Sequence, residues 1–142
     1  MKKLLFICTG NTCRSPMAEA IVKKLYKDIE VSSAGLFAMQ GSDFSPFAKE
    51  VLRENEINYQ HQSRPFTKEL GDWADFILTM TNSHKALIAE QFPDLNKKVF
   101  TLKEFVGADG TDVIDPYGGS IDTYRQTYHE LLELLTKLEK KL

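Results

Sequence analysis

Residues 4–20 read LLFICTGNTCRSPMAEA, and this stretch decides the fold. An apolar run ends at a cysteine and a Thr-Gly-Asn turn follows, which is typical of a buried parallel strand that feeds a loop. Ser15-Pro16 then has the pattern of a helix N-cap followed by proline at the first helical position, with Glu19 where a capping box would place it. We therefore predict a strand over Lys3–Ile7, a tight loop and a helix to about Lys27.

The rest of the chain alternates between strand and helix patterns. Further strands are predicted at Ile29–Ser33, stopped by Ala34-Gly35, and at Asp75–Met80 and Val99–Leu102. Helices are predicted from Ser45-Pro46 to Asn55, from an Asn82 cap towards Phe92, and along the stripe Tyr124, Tyr128, Leu131, Leu135, Leu138 and Leu142. The expected fold is one α/β domain over residues 1–142. It would have a four-stranded parallel sheet in flavodoxin-like order 2-1-3-4 with helices on both faces.

Composition narrows the class of protein. The chain has 142 residues and a formal net charge of -2, which argues against nucleic acid as the main partner. The opening MKKLLFI is too short for a membrane span and has no signal-peptide cleavage site. Two cysteines are too few for a disulfide scaffold, so we expect a cytoplasmic protein with reduced thiols. The apolar stripe of the last helix indicates that this helix packs on the sheet, although the interface of a dimer would show the same pattern. We favour a monomer.

The loop Cys8–Ser15 has the residue types of an oxyanion cradle. Gly10 and Asn11 tolerate backbone angles that let successive N–H groups converge, and the helix that follows adds the positive end of its dipole. Arg14 contributes a planar fork of donors that matches two phosphoryl oxygens. In such a field Cys8 would act as a thiolate nucleophile with the Ser15 hydroxyl donating to it, and would form a phosphocysteine that water hydrolyses.

Other interpretations of this loop fit less well. A zinc site would need closer cysteine spacing than the four residues between Cys8 and Cys13, and only His61, His84 and His129 could complete it. The Gly-Lys-Ser/Thr of a nucleotide P-loop is absent. Two inert buried cysteines would leave the arginine and the Gly-Asn turn unexplained. We therefore expect neither a metal nor a cofactor.

The segment resembles the low-molecular-weight protein tyrosine phosphatase family, whose signature is a strand ending in cysteine, five residues and then Arg-Ser-Pro. Two further matches are Ser33-Ala34-Gly35 after the second strand and Asp115-Pro116-Tyr117-Gly118 before the last helix. The resemblance implies that Cys8 is the nucleophile and that Arg14 clamps the phosphoryl oxygens. It also selects Asp115, rather than the nearby Asp109 or Asp112, as the general acid.

The resemblance also implies supporting roles. Ser33 and His61 would brace the phosphate loop, although a lone histidine is more often structural. Cys13 would trap an oxidised Cys8 as a disulfide. The loop residues that would contact phosphate or substrate are Thr9, Gly10, Asn11, Thr12, Cys13 and Ser15, and the walls of the pocket would be Phe37 and Tyr117.

Thr12 departs from the usual family pattern, in which an aliphatic residue precedes the second cysteine. Together with a single aromatic at Tyr117 and a second glycine at Gly119, it resembles the bacterial protein-arginine phosphatase branch. A hydroxyl at this position could orient the P–N group of phosphoarginine, where a branched methyl would crowd it. Phosphorylated proteins are thus the expected substrates, phosphoarginine first and phosphotyrosine as the alternative. Thr12 could also be a tolerated isostere, and an arsenate reductase or a non-catalytic phospho-binding module are remote alternatives.

Overall fold

A computed structural model describes residues 2–142 and contains one four-stranded sheet, with strands β1 (Lys2–Cys8), β2 (Ile29–Gly35), β3 (Phe76–Thr79) and β4 (Val99–Thr101). The strands are all parallel and lie in the order β2-β1-β3-β4, which confirms the predicted fold class. The helices are α1 (Arg14–Leu25), α2 (Pro46–Glu54), α3 (Lys68–Trp73), α4 (Asn82–Gln91), α5 (Leu102–Val106) and α6 (Ile121–Leu135), with short 3₁₀ helices at Pro93–Lys98 and Leu138–Lys141.

Alternate side chains of β1 divide the core into two layers. Leu4, Phe6 and Cys8 point to the layer shared with α1, α2 and α6, whereas Leu5 and Ile7 point to the layer shared with α3 and α4. All five side chains are buried, as expected for a central strand covered on both faces. Full burial of each large apolar side chain contributes roughly 1.5–3 kcal/mol, so β1 is held firmly where it places Cys8 at the carboxyl edge of the sheet.

The start of α1 corrects the predicted cap. The helix begins at Arg14, with Cys13 at the N-cap position and no side-chain capping bond. The Ser15 hydroxyl instead lies 2.8 Å from Cys8 Sγ, and the Glu19 carboxylate accepts from Ser33 Oγ at 2.8 Å. The predicted capping box is therefore wrong, because both side chains are used in the site. The helix also ends at Leu25, two residues earlier than predicted.

Other element boundaries differ in informative ways. β2 runs through Ala34 and Gly35 rather than stopping before them, because both residues are buried beside β1. The cap of α4 is Thr81, whose hydroxyl accepts from His84 N, and not Asn82. At α2 the N-cap is Ser45, as predicted, but its hydroxyl donates to Tyr124 Oη and accepts no N–H from the helix.

The carboxyl-terminal stripe packs on α1, α2 and α5, as a core helix would. Its regular part ends at Leu135, and the chain continues through a 3₁₀ turn in which Leu138 is still fully buried. The segment from 107 to 119 has no helix or strand. Among residues 2–142, none of the helices has the length and apolar character needed to cross a membrane.

Candidate active site

The cradle lies at the carboxyl end of β1, where open α/β sheets place their ligands. Cys8 is paired with Gly35 of β2. The backbone pairing continues beyond this point, because Leu36 N donates to Cys8 O (3.1 Å) and Phe37 N donates to Thr9 O (2.9 Å). A Cβ atom on Gly35 would lie 2.6 Å from Thr9 O and 2.9 Å from Asn11 N. This close approach requires glycine and fixes the backbone of the loop.

Asn11 organises the interior of the cradle. It is fully buried and adopts the left-handed conformation (φ 56°), which asparagine tolerates better than most residues. Its two side-chain N–H groups donate to Ser15 Oγ and to Ser33 Oγ, each at 2.9 Å. Since Ser15 Oγ already accepts from Asn11, its own hydrogen is free for Cys8 Sγ at 2.8 Å. The arrangement supplies a directed donor to the Cys8 sulfur, which favours the thiolate.

A second group of side chains fixes Asn11 from behind. Its Oδ1 accepts from Arg64 N (3.0 Å) and lies 3.1 Å from His61 Nε2, which is also 3.0 Å from Asn11 O. Both His61 contacts are to acceptors, so Nε2 carries the proton; burial lowers the pKa of His61 and keeps the ring neutral. Ser33 donates onward to Glu19, a buried carboxylate that also pairs with Lys23. The structure thus places Ser33 and His61, both predicted to brace the loop, in hydrogen-bond contact with Asn11.

Arg14 spans the cradle and the 107–119 loop. It is buried, its Nη1 donates to Val113 O at 2.9 Å, and its Nη2 lies 3.6 Å from Asp115 Oδ2. Its Nε is also buried and has no hydrogen-bond partner among residues 2–142. A buried guanidinium donor is costly to leave unpaired, so this nitrogen is available for an anion in the cradle.

The three acidic residues of the loop have different surroundings. Asp112 accepts from Asn82 N at 2.8 Å, which lowers its pKa, so it holds the loop to the start of α4. Asp109 is exposed and has no contact with the cradle residues described above. Asp115 is half-exposed, faces Arg14 and accepts from Tyr117 N at 3.0 Å across the buried Pro116. Of the three, Asp115 is the one that forms an ion pair with Arg14.

Cys13 is buried next to the nucleophile position. Burial, followed by the proximity of Cys8, raises the pKa of Cys13 to about 11. Its thiol is therefore protonated at neutral pH, and both cysteines are free in the structure.

The residues at the mouth are more accessible. Thr9 is exposed, Gly10 and Thr12 are partly buried, and the Thr12 backbone is held by Ser45 N at 2.9 Å. The Thr12 hydroxyl has no hydrogen-bond partner within the described part of the chain, so it is free to meet a substrate. The predicted wall residues Phe37 and Tyr117 are 69% and 81% exposed, so any wall they form is open.

His84 was missed by the sequence prediction except as an unsuitable zinc ligand. It is buried, and its Nε2 lies 3.0 Å from Thr9 Oγ1, while its Nδ1 has no partner among residues 2–142. Burial and the charge of Arg14 lower its pKa to about 4, so the ring is neutral at physiological pH. The available signal was its place just after β3, because neighbouring parallel strands end at the same edge of the sheet.

Two further features bear on what the site can bind. Within residues 2–142 no three His, Cys, Asp or Glu side chains are grouped to hold a metal ion. A groove of about 1190 Å³ lies behind the cradle, where its lining includes Glu19 and His61 but neither Cys8 nor Arg14. This groove therefore does not open onto Cys8 or Arg14.

Comparison with known proteins identifies the class. The family model for low molecular weight phosphotyrosine protein phosphatase matches residues 3–142, and the chain belongs to this family. A protein-arginine-phosphatase of Bacillus subtilis (strain 168) is 50% identical over 143 residues, covering 98% of this chain and 95% of the relative. The low molecular weight protein-tyrosine-phosphatase PtpB of Staphylococcus haemolyticus (strain JCSC1435) is 46% identical over 137 residues, covering 96% of each.

A solved structure adds chemical information. A cysteine-to-serine mutant of YwlE arginine phosphatase, with a phosphorylated active-site serine, superposes with a TM-score of 0.95 at 50% identity, covering 99% of this chain and 95% of that one. The phosphorylated serine indicates that a cysteine carries the phosphoryl group in that enzyme. The chain described here is a phosphatase of this family.

Proposed function

We propose that this protein hydrolyses phosphorylated side chains of other proteins through a phosphocysteine on Cys8. The observation that carries the proposal is the pairing of Cys8 Sγ with the Ser15 hydroxyl, next to an arginine whose buried Nε is free. A thiolate held by a directed donor is an activated nucleophile, and Arg14 can bind two phosphoryl oxygens in a plane. The remaining contacts of the phosphoryl group would be the N–H groups of the loop from Thr9 to Ser15.

The reaction has two balanced steps. The Cys8 thiolate attacks phosphorus, the bond to the leaving nitrogen or oxygen breaks, and Asp115 gives that atom its proton. Asp115, now a carboxylate, takes a proton from a water molecule as the water oxygen attacks phosphocysteine. The S–P bond then breaks, inorganic phosphate leaves, and the Cys8 thiolate and protonated Asp115 are restored.

We propose phosphoarginine as the preferred substrate. Thr12 is partly buried at the mouth, and its hydroxyl has no partner within the described residues, so it is free to bond the P–N group or a water beside it. Asp115 can accept from the guanidinium nitrogens as well as protonate the leaving one. The 50% identity to a protein-arginine-phosphatase across nearly the whole chain supports this choice.

Phosphotyrosine is the second candidate. The observation in its favour is the exposed ring of Tyr117, two residues from Asp115 and available to stack on an aromatic substrate. The 46% identity to a protein-tyrosine-phosphatase supports it independently.

The deciding experiment compares phosphoarginine and phosphotyrosine peptides of the same sequence on the parent, Thr12→Ile, Thr12→Val and Thr12→Ser. We expect the parent and Thr12→Ser to prefer phosphoarginine, and Thr12→Ile to shift towards phosphotyrosine. Thr12→Val separates the effects, because it keeps the shape of threonine and removes only the hydroxyl. An unchanged ratio in all three variants would remove Thr12 as the selector, and an active Cys8→Ser variant would contradict the phosphocysteine mechanism.

The cellular setting is also part of the proposal. We propose that residues 1–142 act as one phosphatase domain and as a monomer, in the cytoplasm, where Cys8 stays reduced. The match of the family model across residues 3–142 supports a single domain. Cys13 would close a disulfide on an oxidised Cys8, which its free, protonated thiol beside the nucleophile supports.

A further inference from the structure

Most of the exposed large apolar side chains of this chain lie on segments next to the cradle. Among residues 2–142, the large hydrophobic side chains that are exposed are Leu25, Phe37, Met39, Phe47, Ile114 and Tyr117. Except for Leu25, they lie on segments that contact the cradle or within the 107–119 loop. We call these five residues (Phe37, Met39, Phe47, Ile114 and Tyr117) the apolar rim.

Backbone bonds fix the first part of the rim to the cradle. Phe37 N donates to Thr9 O, which places Phe37 and, two residues on, Met39 beside the start of the loop. Met39 O in turn accepts from Ser63 Oγ, so this turn is anchored at both ends. The rim at this side therefore keeps a defined position relative to Cys8.

The other rim residues are tied to the far side of the cradle. Phe47 lies two residues after Ser45, whose N–H donates to the loop at Thr12 O, and its ring packs on Tyr124 with centroids 5.5 Å apart. Ile114 directly follows the carbonyl that Arg14 holds, and Tyr117 N donates to Asp115. Single exposed apolar residues need no explanation, but five gathered around one site mark a binding surface.

We infer that the apolar rim binds apolar residues that flank the phosphorylated residue in a protein substrate. The inference rests on the proposed function, because a phosphorylated side chain can reach Cys8 only through the mouth that the rim surrounds. The substrate residues before and after it must then lie over Phe47, Ile114 and their neighbours. Apolar partners lose the most water-exposed area there, so they gain the most from docking.

Charge argues against a lipid surface as the occupant. Two basic side chains of α2, the helix that carries Phe47, are paired with carboxylates, Lys49 with Asp43 at 3.0 Å and Arg53 with Glu50 at 2.5 Å. Asp115 adds a negative charge between Ile114 and Tyr117 that its 3.6 Å contact with Arg14 balances. Anionic membranes select basic surfaces, and this rim has no excess of positive charge.

The test uses two peptides of equal length and charge that carry whichever phosphorylated residue the parent prefers. One has Leu and Val on both sides of that residue, and the other has Ser and Gly. We expect the parent to have an at least about fivefold higher kcat/KM on the apolar peptide, which is about 1 kcal/mol, with the difference mainly in KM.

Matched variants locate the effect. In Phe47→Ser/Ile114→Ser the ratio between the two peptides should fall to about one, whereas Leu25→Ser, the exposed apolar residue outside the rim, should keep the parent ratio. Because the ratio is measured on one preparation, it does not depend on how much of a variant is folded. Equal rates on both peptides in the parent, or a preference that survives the double variant, would overturn the inference and leave the proposed function standing.

Other occupants give different results. A dimer in sedimentation velocity that the double variant dissolves would assign the rim to a second copy of this chain and overturn the inference. Binding to neutral phosphatidylcholine vesicles that the double variant abolishes would assign it to lipid, with the same consequence. Hydrolysis of a generic aryl phosphate without hydrolysis of either peptide would contradict both the inference and the proposed protein substrates.

Discussion

Replacement of Gly35 by alanine tests whether β2 positions the phosphate loop. The added Cβ would lie 2.6 Å from Thr9 O, 2.9 Å from Asn11 N and 2.9 Å from Ala38 Cβ. Two of these three atoms belong to the backbone of the loop and cannot rotate away, so the loop must retreat by roughly half an ångström. Overpacking of this kind costs about 1–3 kcal/mol, and we expect the melting temperature to fall by about 3–10 °C.

The same displacement should impair catalysis beyond its effect on stability. The loop carries the groups that hold the phosphoryl group, and misplacement by an ångström can cost about a hundredfold, so we expect roughly a tenfold loss of kcat/KM on an aryl phosphate. The assay is run well below the melting temperature of each variant. Both readings come from the same protein sample, which separates lost stability from lost positioning.

Gly71→Ala is the matched control. Its Cβ would also be crowded, at 2.5 Å from Leu95 Cδ1 and 3.2 Å from Phe66 Cζ, but both neighbours are side chains and not backbone of the cradle. We expect Gly71→Ala to lose stability and to keep kcat/KM. If Gly35→Ala loses stability and keeps full activity as well, the idea that β2 fixes the loop is wrong.

Three further predictions concern single side chains. Asp115→Asn should lower kcat by about 10²–10⁴-fold on a substrate with a basic leaving group and much less on p-nitrophenyl phosphate, measured by steady-state kinetics; equal losses on both would argue against a general acid. His84 has a folded-state pKa of about 4 against 6.5 for the free group, so the unfolded chain takes up this proton first and stability is lost as the pH falls from about 6.5 to 4. Urea titrations across that range should show up to about 3 kcal/mol more loss in the parent than in His84→Gln, and parallel curves would contradict the assignment. After peroxide treatment, Cys13→Ala should recover less activity with added thiol than the parent does, since Cys8 then lacks a disulfide partner; equal recovery would exclude that role for Cys13.

The fold and the centre of the site were predictable because their signals are local. An apolar run, a Gly-Asn turn and Ser-Pro follow one another within residues 4–16, and each has a direct structural meaning. The alternation of strand and helix patterns along the chain then predicted a sheet with helices on both faces. The family signature indicated the roles of Cys8, Arg14 and Asp115. Structural features that depend on neighbouring residues in the sequence could therefore be predicted without coordinates.

The failures arise where tertiary contacts override local rules. Ser15 has the sequence context of a cap, but its hydroxyl is held by Asn11 and Cys8 instead, and Glu19 faces Ser33. Helix α3 contains only six residues, one of them glycine, which is too short to display a helical period. A true capping box occurs at Thr101–Glu104, on the short helix α5 that the sequence did not reveal.

His84 illustrates a different limit. Its contact with Thr9 joins residues 75 positions apart, and it depends on β3 lying next to β1. Sheet order could be predicted, but not which side chain beyond β3 would turn towards the loop. That choice follows from the Thr81 cap, which sets the first turn of α4.

The hydrogen-bond chain through Asn11 has a consequence for engineering. Nearly every member of it comes from one continuous strand–helix–strand unit, residues 2–35, with only His61 and Arg64 N supplied from elsewhere. The eight-residue loop alone would arrive in a new host without Ser33 or Glu19 and without the glycine on which it rests. The smallest portable form of this phosphate loop is therefore the whole unit, grafted where a host can offer two donors to Asn11 in place of His61 and Arg64 N.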